Sequence, residues 1–238
     1  GVAVDEIVLG SIAAAMSTLT EQERLQGVAL VDIGGSTTSI AVYQEGTVAH
    51  TGCLQMAGQQ LTQDLAQMLR CPWESAEALK CEHGRAYADD ALNSETVEIE
   101  AFGTQARKSV SLRNVCEILQ ARAEEILEAI EIEIKRAGYL DTIAAGLVLT
   151  GGTSQLKGLP EVVEARLGIP ARLGEPRGYS GLSDIIGSPA YATPIGLVEY
   201  ALRGQDRPVT AGPSIHFEMP AGGLWKRLAS IGRALMPE

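Results

Sequence analysis

Val28–Tyr43 reads VALVDIGGSTTSIAVY. Its first half is an apolar run that ends on an acid, Asp32, and its second half alternates apolar and small residues. Between them stand Gly34, Gly35 and the hydroxyl residues Ser36, Thr37 and Thr38. The pattern predicts strand, tight turn, strand. Glycines let a backbone approach a ligand closely, and consecutive N–H groups in such a turn can point at an anion. Asp32 cannot itself favour a phosphate, so a divalent cation or its waters would lie between the two. A plain hairpin turn would use the same residues, and a short glycine motif does not decide between them.

Upstream, GVAVDEIVL (Gly1–Leu9) predicts a short strand and Ser11–Leu19 a tightly packed helix. Thr20 with Glu23 forms a capping-box pattern for a second helix, stopped by Gly27. Downstream, Glu45-Gly46 predicts a turn and Val48–Leu54 the third strand of a meander. Gly58 opens a helix with Leu61, Leu65, Met68 and Leu69 at helical spacing, broken by Pro72. Ser75–His83 predicts a further helix, Thr96–Ala101 an edge-like strand, and Ser111–Ala137 the longest helix, its glutamates forming a solvated face. GLVLT (Gly146–Thr150) is a continuous apolar run, hence a strand buried on both faces. A helix over Leu159–Leu167, a strand over Ala171–Leu173 and a helix over Tyr191–Leu202 close this part, an α/β arrangement. Gly204–Gly222 lacks periodicity and predicts a flexible linker.

The chain has 238 residues, 45% of them hydrophobic, enough for a sizeable core. Its net charge of −11 argues against nucleic acid as the main ligand, which requires clustered bases. No apolar run reaches the length of a membrane span, and no signal peptide is expected. Cys53, Cys71, Cys81 and Cys116 show no CxxC spacing, so reduced thiols are expected. The three histidines are too scattered for a metal site.

A second glycine turn follows the apolar strand, in LVLTGGT: Gly151, Gly152 and Thr153. Two such turns on one sheet can bracket one ligand at the strands' C-terminal ends. Glu77 and Lys80 share a helix face at i,i+3, either as a surface ion pair or to reach a ribose. The tail, GGLWKRLASIGRALMPE, differs from the acidic body. Leu224, Leu228, Ile231 and Leu235 fall on one helical face, Lys226, Arg227 and Arg233 lie off it, and Trp225 suits an interface. An amphipathic helix over 223–238 on an anionic membrane surface is expected, in preference to a helix docked on the body.

In this order the pieces resemble the actin-like ATPases, and within them the FtsA family of bacterial cell-division proteins. The resemblance rests on STLTEQERLQGVALVDIGGSTTSIAVY, MAGQQLTQDLA, SAEALKCEHG, AAGLVLTGGTSQLKGL and ARLGEPRGYSGLSDIIGSPAYATPIGLVEY, and on the tail. It implies an actin-like (RNase H-like) ATPase domain with an inserted subdomain. Residues 1–57 and 146–203 would form the RNase H-like core, 58–145 the insertion, 204–222 the linker and 223–238 the membrane-targeting helix. It implies ATP and Mg2+ as cofactors. Asp32 would hold the magnesium through water; Gly34, Gly35, Ser36 and Thr37 would contact phosphates; Gly58 would lie across the cleft. Glu77 and Lys80 would meet the ribose or base edge, and Gly151, Gly152 and Thr153 would pack under the adenosine. The family's loop reads DIGGGT, and Ser36 stands at its third glycine. A serine takes positive φ only at a cost, so a slightly altered loop is expected.

The resemblance further implies partners: the C-terminal peptide of the tubulin-like protein FtsZ, further copies of the chain in an actin-like filament, anionic membrane lipids and other division proteins. Arg107, Lys108, Arg113 and Arg122 are the candidate surface for the FtsZ peptide; scattered solvated bases would read the same. The expected location is peripheral, on the cytoplasmic face of the cell membrane at the division septum. The family carries a first domain before the position of Gly1, so this chain matches the second half and is at most a slow ATPase. An actin-like pilus-assembly relative and a non-hydrolysing adaptor are the alternatives.

Overall fold

The computed structural model describes residues 4, 6–88, 94–102, 107–178 and 186–204. Its centre is β1, Val28–Ile33, in which every residue but Asp32 is buried. β1 pairs antiparallel with β2 (Thr38–Gln44), and β2 with β3 (Thr47–Leu54). On its other side β1 pairs parallel with β6 (Leu147–Thr150), and β6 with β7 (Ala171–Leu173). The sheet order is β3-β2-β1-β6-β7. Asp32 sits opposite Thr150, so β1 and β6 end side by side and both glycine turns leave the same edge.

Strand periodicity explains the layers. Side chains alternate between faces of a sheet. Val28 and Leu30 therefore join Ala41, Tyr43 and Val148 under α1 (Gly10–Thr18) and α7 (Ala192–Gly204). Ala29, Val31 and Ile33 join Ile40, Val42 and Leu149 under α3 (Gly58–Leu69) and α5 (Leu112–Arg136). A strand buried on both faces must be apolar throughout, which is why β1 and β6 read as continuous runs. The small residues of α1 allow α7 to come close: Gly196 lies directly over the Ala13 carbonyl, where a Cβ would overlap it.

The capping box at α2 (Glu21–Gln26) forms as expected. Thr20 Oγ1 accepts from the Glu23 N–H at 3.2 Å, and Glu23 Oε2 accepts from the Thr20 N–H at 2.8 Å. Glu45 and Gly46 both take positive φ, the requirement of a tight hairpin of this twist. α4 (Trp73–His83) follows Pro72, and α6 (Leu159–Leu167) carries Pro160 in its first turn.

One expectation fails and one strand was not expected. The described residues of Gly1–Leu9 form no strand, and Ile7 is 89% exposed. An apolar alternation needs a sheet edge beside it, and no described residue supplies one there. Conversely Arg107–Ser111 is a strand, β5, paired antiparallel with β4 (Thr96–Glu100). RKSVS has one buried apolar residue, Val110, so its strand character comes from its partner and not from its own pattern. The linker beyond Gly204 and the amphipathic segment 223–238 lie outside the described residues, as do residues 179–185 of the long matching stretch. Among the described residues no helix is long and apolar enough to cross a membrane.

Candidate functional site

The turn between β1 and β2 is held from two sides. The Gly34 N–H donates to the Thr37 carbonyl at 3.0 Å, closing the turn. The N-terminus of α3 then binds it: the Gly58 N–H donates to the Gly34 carbonyl at 3.1 Å and the Gln59 N–H to the Gly35 carbonyl at 2.7 Å. From the second glycine turn, Thr153 Oγ1 donates to the same Gly34 carbonyl at 2.7 Å. Three elements far apart in sequence thus meet at one turn.

Ser36 is not strained. Among the described residues the non-glycine positions with positive φ are Glu45 and Arg70; Gly34 and Gly35 also lie outside that region. The expectation of an altered loop is corrected: Ser36 is exposed, and its Oγ donates to Gln59 Oε1 at 2.9 Å, adding a link from loop to helix. A third glycine is not required because the turn never enters the left-handed region.

Four of the site's five glycines fall into two kinds. Gly151 has φ 85°, and a Cβ there would overlap Asp32 Oδ1. Gly58 is buried, and a Cβ there would overlap Thr153 Oγ1. These two are required by the protein's own packing, and Gly58 sits beneath the turn, bonded to it. Gly35 and Gly152 are different. Neither has positive φ, and a Cβ at either would meet no protein atom within 4 Å. Neither backbone strain nor internal packing calls for glycine there. The open space that a side chain would fill is the kind of cradle that lets a ligand lie against backbone.

Asp32 lies half-buried at the end of β1. Burial pushes its carboxyl above the ordinary aspartate range, and a hydrogen bond from Thr193 Oγ1 to Oδ2 at 2.8 Å pulls the other way. No sequence pattern pointed to Thr193; α7 brings it there from 161 positions away. Among the described residues no group of three or more Asp, Glu, His or Cys could cage a metal. One carboxylate beside exposed hydroxyls fits a cation held through water and ligand oxygens, as Mg2+ is commonly held.

Glu77 and Lys80 do pair, at 2.8 Å, and the pair is built into the site. Lys80 Nζ also donates to Thr62 Oγ1 at 2.9 Å and to the Gly58 carbonyl at 3.3 Å, and the Thr62 hydroxyl bonds Glu77. Burial pushes the Glu77 carboxyl up, but the bonds from Lys80 and Thr62 outweigh it and hold the group below the usual range. Thr62 is fully buried between Leu61 and Leu65. A polar residue on an apolar helical stripe was the available signal for it.

The four candidate bases do not gather into one open patch. Lys108 Nζ bonds the Leu69 carbonyl, Arg113 pairs with Glu117, and Arg122 holds Asp64 through two bonds, at 2.5 and 3.1 Å, and Glu125 through a third. Arg107 is exposed on β5.

Comparison with known proteins agrees with this geometry. The family model for cell division protein FtsA matches residues 29–196. The FtsA of Pseudomonas aeruginosa is 38% identical over 231 residues, which cover 96% of this chain and 55% of that protein. The FtsA of Bacillus subtilis is 34% identical over 220 residues, covering 92% and 48%. The chain therefore spans about half the length of the curated relatives it matches. Among solved structures, MreB5 of Spiroplasma citri bound to ADP gives a TM-score of 0.64 at 17% identity, over 84% of this chain and 61% of that one. The PilM–PilN type IV pilus biogenesis complex gives 0.63 at 17% identity, over 85% and 54%. At these identities the likeness is one of fold, that of the actin-like ATPases. The family match and the relatives' identity go further: the chain belongs to the FtsA family of cell-division proteins.

Proposed function

We propose that this chain supplies one side of a nucleotide cleft in a division protein that binds ATP, polymerises and tethers FtsZ to the membrane. The observation that carries it is the pair of open glycines, Gly35 and Gly152, on turns leaving adjacent parallel strands beside Asp32. ATP would bring the phosphates and the Mg2+ that those turns are built to accept. Asp32 would orient the cation's waters; the backbone of 34–37 and the Ser36 and Thr37 hydroxyls would line the phosphates; Gly151–Thr153 would face the nucleoside. Lys80, already bonded to the Gly58 carbonyl, would stand at the ribose side with Glu77. MreB5 of Spiroplasma citri, with ADP or AMPPNP bound, supports this placement through the shared fold.

The region 58–145 would act as the inserted subdomain that receives the acidic C-terminal peptide of FtsZ. Of the four candidate bases Arg107 is exposed, with Lys108, Arg113 and Arg122 exchanging internal partners for the peptide. The segment 223–238 would hold the protein at the inner face of the cell membrane at the septum. Its three bases contribute about 3 kcal/mol near an anionic surface. One such segment binds weakly, and a filament that presents many gains roughly 10²–10⁴ by avidity.

The test uses the full-length protein. Asp32→Ala is expected to weaken Mg-dependent ATP binding at least about tenfold by calorimetry; unchanged affinity overturns the cleft. Trp225→Glu with Leu228→Glu is expected to abolish co-sedimentation with anionic liposomes and leave ATP binding intact; unchanged co-sedimentation overturns the anchor.

A further inference from the structure

The β4–β5 hairpin has an edge that the site above does not use. β4 pairs with β5, and among the described residues no strand pairs with its other edge. The phase of that edge follows from one bond. The Leu112 N–H donates to the Glu95 carbonyl at 3.0 Å, so the backbone groups of residues 95, 97 and 99 point at β5. Those of Thr96, Glu98 and Glu100 therefore point away from it. Beside this edge α4 and β4 form a groove of about 340 Å³. Ala78 and Leu79 of α4 with Val97 and Ile99 of β4 give it an apolar floor. Glu74 and Glu82 stand on the helix side, and Glu98 and Glu100 on the strand side.

The charges lining the groove are acidic, while across the hairpin Glu100 stands opposite Arg107 of β5. No lysine or arginine lines the groove. Among the described residues the one basic contact to these four carboxylates is His83 Nε2, 3.8 Å from Glu82 Oε2. Four acids around an apolar floor repel one another, and an unpaired strand edge leaves backbone donors and acceptors to water. A bound cationic strand relieves both at once. Natural proteins protect such edges with lysine or proline; here the flanking charges are negative, which discourages acidic strands and selects basic ones.

We propose that the α4–β4 groove binds an extended, basic segment of a partner protein as a third strand along β4. Strand addition gives affinity through the backbone and specificity through alternate side chains. The alternation of β4 dictates the partner's pattern. Val97 and Ile99 face the core side, so the partner's residues on that face are apolar. Glu98 and Glu100 face the other side, so its residues there are Lys or Arg. The groove accordingly takes an alternating basic and β-branched segment. It is separate from the two glycine turns and from Arg122, whose partner Asp64 lies on α3.

The experiment uses the whole chain and a fluorescent ten-residue peptide of alternating Lys and Val. Micromolar binding is expected, with hydrogen-exchange protection at the Glu98 and Glu100 amides. Glu98→Lys with Glu100→Lys should weaken it at least about tenfold, and Glu74→Lys, on the other wall, should weaken it in the same direction. A peptide N-methylated at alternate residues keeps its charge and loses its strand donors, and it should not bind. Equal binding by the N-methylated peptide, by an alternating Glu and Val peptide, or by the Glu98→Lys, Glu100→Lys chain overturns the proposal. Tight binding without protection on β4 also overturns it and assigns the contact to charge alone.

Discussion

Four of the five glycines at the candidate site divide by what surrounds them. Gly58 and Gly151 are fixed by the protein: a methyl group would overlap Thr153 Oγ1 in one case and Asp32 Oδ1 in the other. Gly35 and Gly152 face open space. Gly35→Ala and Gly152→Ala should therefore leave thermal stability within about 0.5 kcal/mol. Gly151→Ala, which also demands positive φ of an alanine, should cost about 1–3 kcal/mol. In the full-length protein the first two variants should still weaken ATP binding. Melting curves and calorimetry on the same samples separate the two classes, and loss of stability in Gly35→Ala would show that the open cradle is misread. DIGGST and TGGT were legible from residue type and order alone. That only some of their glycines answer to internal packing was not, because the atoms that press on Gly58 and Gly151 come from elsewhere in the chain.

At the level of elements, α1 and α7 form the tightest crossing. Gly196 lies on the Ala13 carbonyl, and the Ser17 hydroxyl reaches the Ala192 carbonyl at 2.8 Å. Gly196→Ala is expected to force the helices apart and destabilise by about 1–3 kcal/mol, read as a fall in the midpoint of thermal unfolding. An unchanged midpoint would mean that α7 shifts freely on α1. Both helices were foreseen, since AAA-rich and YATPIGLVEYAL stretches carry helical signals. Their contact was not. Nor was β5, whose five residues hold too little apolar pattern to announce a strand. The same crossing carries Thr193 to Asp32, so the packing of two small-residue faces sets the environment of that carboxylate.

For the molecule as a whole, one contribution to acid stability sits at a joint between α2 and β7. Burial would raise the Glu23 carboxyl, but bonds from Arg172 and from Thr20 outweigh that and hold its pKa at about 2. Arg172 also donates to the Thr18 carbonyl at 3.0 Å, so one guanidinium ties the end of α1, the cap of α2 and the sheet edge. A depressed folded pKa means stability that is present above the ordinary value of 4.5 and lost as pH falls from there to about 2. Urea unfolding across that window should show a steep acid limb in the native chain and a shallower one in Glu23→Gln. Parallel limbs would remove Glu23 from the account. Asp32 runs the other way. Its raised folded pKa makes its charged form a cost at neutral pH.

The sequence by itself determined most of the strands and helices, β5 excepted, together with the two glycine turns, the capping box and the family, because these are written in neighbouring residues and their spacing. The tertiary structure alone decided that both turns leave one edge of the sheet. It decided that α3 and Thr153 grip the same carbonyl of Gly34, that Thr193 meets Asp32, and that Lys108, Arg113 and Arg122 serve internal partners. Those facts depend on which distant segments pair and pack. That choice is made by the burial of β1 on both faces, a constraint that no local pattern expresses.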